Sequence, residues 1–148
     1  MYQESDYEKF AAMMEEKYPS MFEGSYGGFA IGPGWWPIVE SLCAHIQSHV
    51  VQSNERRKLL LESNPYNTPI PDEVPPVVVE QIKEKFGGLR FYHTGGNSRI
   101  DGMVTMAEAW AAHTCEECGK LGTLRTGRWI KTLCDEHEAE RQERMKNI

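Results

Sequence analysis

The sequence predicts an α+β fold in which helices pack on a small antiparallel sheet and a compact finger closes the C-terminus. Three observations predict it. Apolar residues recur at helical spacing in two N-terminal segments, a β-branched run meets an aromatic run across Gly87-Gly88, and two short Cys/His pairs lie near the end of the chain.

The first helix is expected from Ser5-Asp6-Tyr7-Glu8, which has the form of a capping box, a serine and a glutamate satisfying the amides that open a helix. Tyr7, Phe10, Ala11, Met14 and Tyr18 then share one face, and Pro19 stops the run. Residues 24–34 contain Gly24, Gly27, Gly28, Gly32 and Gly34 and read as a turn-rich loop. With no Gly-Lys-Ser/Thr and no preceding strand, that loop does not have the form of a phosphate-binding loop. Pro37 suits the first turn of a second helix, on which Val39, Leu42, Ile46 and Val50 form a stripe that ends near Leu61. Cys43, beside that stripe, reads as a buried thiol. His45 and His49 lie four apart on the same helix, but Ile46 occupies the place of the glutamate in a zinc-protease motif, so boundary histidines are the favoured reading.

Residues 62–76 hold Pro65, Pro69, Pro71, Pro75 and Pro76 and are expected to form an extended surface loop. Pro71-Asp72 invites comparison with metal-dependent nuclease cores, but no acid stands two residues before a lysine downstream. From Val77 to Phe86 a hairpin strand is favoured, although Val78, Ile82 and Phe86 also fit a helix closed by Gly87. Leu89-Arg90-Phe91-Tyr92-His93 supplies the return strand. Ser98-Arg99-Ile100-Asp101 has the form of a second capping box, and Ile100, Met103, Val104, Ala107, Trp110 and Ala111 trace the face of a third helix.

Cys115-Glu116-Glu117-Cys118 and Cys134-Asp135-Glu136-His137 are separated by fifteen residues. Each short loop can place two soft donors on one ion, and the segment between must fold back to complete a tetrahedron, so Cys115, Cys118, Cys134 and His137 are predicted to bind one zinc ion. Four protein ligands close the shell, which makes the ion structural. The intervening segment suits a hairpin turning near Thr126-Gly127. Thr132, three before Asp135, suits the cap of a final helix carrying Cys134 and His137, on which Glu140 and Arg144 can pair. Together these describe a treble-clef-like finger at 114–148, rigidly docked on an α+β domain at 1–113.

Charge limits the partners. The chain carries 16 Lys and Arg against 22 Asp and Glu, a net charge of −6, and residues 1–40 hold most of the excess acid. Wholesale phosphate binding is therefore excluded, since nonspecific nucleic-acid affinity needs clustered cations. A local contact stays open at the finger, where Lys120, Arg125, Arg128 and Lys131 surround Trp129; the favoured alternative is a solvated hairpin whose tryptophan packs on the zinc core. His93 with Arg90, Tyr92 and Asp101 could assemble an acid–base site, against the commoner role of strand aromatics in a core. No apolar segment approaches membrane-spanning length and no signal-peptide pattern follows Met1, so a cytoplasmic protein with no membrane contact is expected.

The string Ile82-Lys83-Glu84-Lys85-Phe86-Gly87-Gly88-Leu89-Arg90-Phe91-Tyr92, followed by an amphipathic helix and the Cys-x-x-Cys module, resembles small proteins of tailed phages and prophages. The likeness runs from Val77 to His137 and implies a bacterial host cytoplasm and an accessory part in infection; a host protein is the expected partner. It carries no catalytic residues. The treble-clef shape also occurs in His-Asn-His nucleases, but here the helix-borne histidine is used as a ligand and no His-Asn pair precedes it. A non-enzymatic protein that binds a host macromolecule is the resulting expectation, with a nucleic-acid binder and an enzyme centred on His93 as alternatives.

Overall fold

A computed structural model describes residues 3–147. Helix α1 spans Glu4–Lys17 and buries Phe10 and Met14, the centre of the predicted stripe. Its cap is Gln3, which makes no side-chain bond, so Ser5 and Glu8 lie inside the helix and the expected capping box is not formed. Acidic Glu4 and Asp6 in the first turn instead complement the helix dipole. After Pro19 the chain loops through the glycines into a two-residue strand β1, Phe29–Ala30, and a 3₁₀ turn, Pro33–Trp35.

Helix α2, Trp36–Glu62, carries Pro37 in its first turn and buries Val39, Leu42, Cys43 and Ile46. The proline-rich segment that follows is extended and tied back to α2. The Asn54 amide group donates to the Val74 carbonyl and accepts from the Val74 amide, as a neighbouring strand would, and Arg57 donates to the Pro71 carbonyl. Strands β2, Val78–Lys85, and β3, Gly88–Thr94, form the expected antiparallel hairpin. The sheet also holds β1, parallel to β2 through Phe29 opposite Ile82, so it is mixed and three-stranded in the order β1-β2-β3. β1 is too short to leave a period-two signal in sequence.

Two details of the hairpin differ from expectation. The turn is Phe86-Gly87, both at positive φ (52° and 80°), with Gly88 already in β3. The register also slips between Val79 and Gln81, so Val79 and Ile82, three apart, both face the core. A β-bulge explains this, because the extra residue resets which side chains point inward. Of the residues whose spacing imitates a helix, only Ile82 is in the core: Val78 is half-buried and Phe86 is exposed in the turn.

Helix α3, Ser98–Ala111, buries Ile100, Val104, Ala107 and Ala111. Its cap is Asn97, whose side-chain oxygen accepts from the Ile100 amide at 3.1 Å; Ser98 stands one residue inside and caps nothing. Trp110 falls off the buried face and is 62% exposed. Helices α2 and α3 pack side by side, and α3 also packs on β3. The core joins Trp35, Phe29, Met14, Ile46, Ile82, Leu89 and Ile100, all fully buried. Trp36 is partly buried and stacks on Phe10 at 4.7 Å between centroids. A separate small hairpin, β4 (Thr123–Arg125) with β5 (Lys131–Leu133), leads into helix α4, Asp135–Lys146. No helix among the described residues is long and apolar enough to cross a membrane.

Candidate metal centre

Among the described residues, the module's own apolar core is only Leu133 among the cysteines, with Cys115, Leu133 and Cys134 buried together. So little apolar surface cannot hold a fold of this size, and an internal staple is required. The knuckle at Cys115–Cys118 supplies half of it. The Gly119 amide bonds back to the Cys115 carbonyl at 2.9 Å, and Gly119 closes the turn at a φ of +81°. Cys115 is fixed by its amide on the Lys120 carbonyl, and Glu116 by its amide on the Thr132 carbonyl of β5. The other half is the first turn of α4. Cys134 occupies the cap position, and its sulfur accepts the His137 amide at 3.4 Å.

This arrangement brings the four predicted ligands together, with all donor atoms within 4.8 Å of one another. The Cys118 and Cys134 sulfurs are 3.8 Å apart, and His137 Nδ1 is 3.6 Å from the Cys115 sulfur and 3.3 Å from that of Cys134. Tetrahedral zinc with ordinary bond lengths sets S···S edges of about 3.8 Å and S···N edges of about 3.6 Å. The donor set and its spacing therefore fit one zinc ion. His137 presents Nδ1 to the cluster and turns Nε2 toward Glu140 at 3.9 Å, the type of partner that orients a ligating imidazole. The His137 amide on its sulfur, aided by the ring, holds the Cys134 thiol down at about 7. Desolvation, with the adjoining Cys115 and Cys134 thiols, pushes Cys118 up to about 11.

The module is fastened to the rest of the chain by buried polar contacts. The Glu116 carboxylate, 5% exposed, accepts the Gly32 amide at 2.9 Å and the Lys131 ammonium at 3.3 Å. Burial outweighs these partners and raises the Glu116 pKa. For Lys131 burial works the other way, but attraction to Glu116 and Glu84 prevails and its pKa is raised too. The Glu116 carbonyl accepts the Gly34 amide, Trp35 Nε1 donates to the Thr114 carbonyl, and the Thr132 hydroxyl donates to the Gly87 carbonyl. Thr132 thus joins the module to the β2–β3 turn; it is not the cap of α4. Glu140 faces His137, and the ion pairs along α4 are Glu138 with Arg141 and Glu143 with Lys146, so the expected Glu140–Arg144 pair is absent among the described residues.

The cations of the finger are largely engaged. Arg125 grips Asp135 and the Leu133 carbonyl, Lys131 pairs with Glu84 and Glu116, and Lys120 lies 4.0 Å from Glu136. Arg128 alone of the four has no such partner among the described residues. Trp129 is 68% exposed, so it does not pack on the metal core as expected. The hairpin itself contains no acid; the partners come from the knuckle, β2 and α4, which spacing along the hairpin could not show.

The remaining predicted sites do not assemble. His93 is nearly buried and lies 3.7 Å from Asp101, but Arg90 and Tyr92 alternate to the other face of β3, where Arg90 bonds the carbonyl of Leu89. His45 bonds the Ser41 carbonyl, whereas His49 contacts Ser53 and Asn97, so the two do not converge on an ion. Cys43 is fully buried, and burial pushes its thiol far above the ordinary value. Unforeseen in the sequence is a cleft of about 470 Å³ between α2 and α3, walled by Ile38, Leu42, Met103, Met106 and Trp110. It continues into a polar cleft of about 290 Å³ that includes Arg56 and Arg99. The spacing of His45, His49, Gln52 and Arg56 along one face of α2 was the available signal. No protein-family model matches the chain, and neither a curated protein nor a solved structure is detectably similar to it.

Proposed function

We propose that this is a non-enzymatic binding protein, braced by a structural zinc in a treble-clef-like finger, whose partner is another protein. The observation that carries the reading is the apolar α2–α3 cleft, where Met106 and Trp110 stand 66% and 62% exposed beside Ile38 and Met103. Exposed thioether and indole groups gathered in one groove mark an interaction site, because isolated surface apolar residues do not build a cleft. The resemblance to phage proteins adds the setting: a bacterial cytoplasm, a host protein as partner and an accessory role during infection. Nucleic-acid binding through the finger is disfavoured because Lys120, Arg125 and Lys131 face carboxylates of the same chain. The enzyme reading loses its geometry when Arg90 and His93 point to opposite faces.

Capture from a bacterial lysate on immobilised protein tests this, with and without nuclease. A retained protein that survives nuclease treatment and is lost from Met106→Glu supports the proposal. Retention of nucleic acid instead, weakened by Arg128→Glu with Trp129→Ala and indifferent to Met106→Glu, overturns it.

A further inference from the structure

Building on that protein-binding reading, we infer that the α2–α3 groove receives an acidic amphipathic helix, its apolar side toward Trp110 and its carboxylates toward Arg56 and Arg99. The groove is polarised along its length. At one end Pro37 and Ile38 of α2 face Met106 and Trp110 of α3; at the other, Arg56 of α2 and Arg99 of α3 open on the same polar cleft. The two clefts share His45 and Met103, so they form one continuous surface.

Charge selects the occupant. Neither Arg56 nor Arg99 makes an ion pair or hydrogen bond among the described residues, and both are exposed. No aspartate or glutamate lines either cleft. Two guanidinium groups opening on one cleft with no carboxylate among its lining residues call for an anionic group on the ligand. The chain's net charge of −6 does not oppose this at short range, since exposed charges are screened beyond about 8 Å at physiological ionic strength. The same feature disfavours a second copy of this chain. Two such grooves laid face to face would set arginine against arginine or indole, with no acid to meet it.

Length selects the shape. From Arg99 to Trp110 the wall of α3 rises about 16 Å at 1.5 Å per residue, roughly three turns of a partner helix. Anchors on such a helix at i, i+3, i+4 and i+7 would cover the apolar half and leave one end over the arginines. Gly102, in the middle of α3, lines the groove and has no heavy atom within 4 Å of where a Cβ would stand. Its missing side chain leaves room for a close backbone approach.

The test uses full-length, zinc-loaded protein and three fluorescein-labelled peptides of about fourteen residues. All share one leucine face, and their terminal turn carries glutamates, glutamines or lysines. By anisotropy the glutamate peptide should bind about tenfold tighter than the glutamine peptide, an advantage that shrinks with added salt. Arg56→Glu with Arg99→Glu should transfer the preference to the lysine peptide, while Met106→Glu should abolish binding of all three. Equal affinity for the glutamate and glutamine peptides, or a preference unmoved by the double charge reversal, overturns the inference. So does a dimer in sedimentation that Met106→Glu dissolves, or uptake of dodecyl phosphate with no peptide bound. If lysate capture stays sensitive to Met106→Glu while the peptide preference fails, the protein-binding reading stands and the acidic helix falls; if both fail, both fall.

Discussion

Thr132 and Glu116 each make a buried polar contact that crosses from the finger to the rest of the chain. The Thr132 hydroxyl sits 2.7 Å from the Gly87 carbonyl with its residue 1% exposed. Thr132→Val keeps the shape and leaves that carbonyl without its donor, so denaturant unfolding should show a loss of about 1–3 kcal/mol. If Thr132 instead capped α4, the loss would appear as reduced helicity, which circular dichroism of the variant would register. Glu116→Ala strands the Gly32 amide and leaves Lys131 with Glu84 alone, and should cost a similar amount, again about 1–3 kcal/mol, with Glu116→Gln recovering part of it. Caps show how far single residues were legible. Ser98 matched a motif, yet Asn97, one place earlier, has the extended backbone a cap needs and also reaches His49. The motif registers residue type, whereas the cap is decided by where the backbone turns helical. The four ligands were readable because thiols and imidazole at that spacing have few other uses; Glu116 was not, since nothing local distinguishes it from Glu117.

At the scale of elements, the helices were legible because their apolar period is long and repeated, and the hairpin because β-branched and aromatic residues flank glycine. The mixed sheet was not, because β1 has two residues and its pairing with β2 is nonlocal. The turn was misplaced by one residue, and that shift makes a measurable contrast. Gly87 has a φ of +80°, and a Cβ there would lie 2.6 Å from a Leu124 methyl; at Gly88 it would meet the flexible tip of Arg90 at 2.8 Å, and φ is ordinary. Gly87→Ala should therefore destabilise by about 1–3 kcal/mol and disturb finger docking, and Gly88→Ala by clearly less, in thermal or denaturant melts. Were Gly87-Gly88 the two-residue loop, both substitutions would cost alike. The free edge of β3 is partly covered by α3: the Glu108 carboxylate accepts the Phe91 amide at 3.0 Å. That bond occupies a donor which an exposed edge would otherwise offer to another chain.

Across the whole molecule the candidate metal site and the larger core are coupled at one seam. Gly34 packs so closely on the knuckle that a Cβ there would lie 2.0 Å from the Cys115 carbonyl, and Trp35, at the heart of the core, donates to Thr114. Removing zinc should therefore loosen residues 115–137 and, through the seam, the amides of Gly32, Gly34 and the Gly87 turn. The β2–β3 hairpin and the α2–α3 pair, held by their own core, should stay protected. Hydrogen exchange on chelated and zinc-loaded protein separates this from global unfolding, in which protection is lost everywhere together. Zinc affinity should also depend on pH with a break. Zinc displaces the protons of its thiols, so binding weakens as pH falls. Cys118, held at about 11, gives up a proton across the whole neutral range, whereas Cys134, at about 7, is already a thiolate above that value and must be deprotonated below it. The fall in log K should therefore steepen below roughly pH 7, where protons compete with zinc for Cys134 as well as for the other ligands, as read by competition with a chromophoric chelator. A slope unchanged through neutrality would mean that the His137 amide does not favour the Cys134 thiolate.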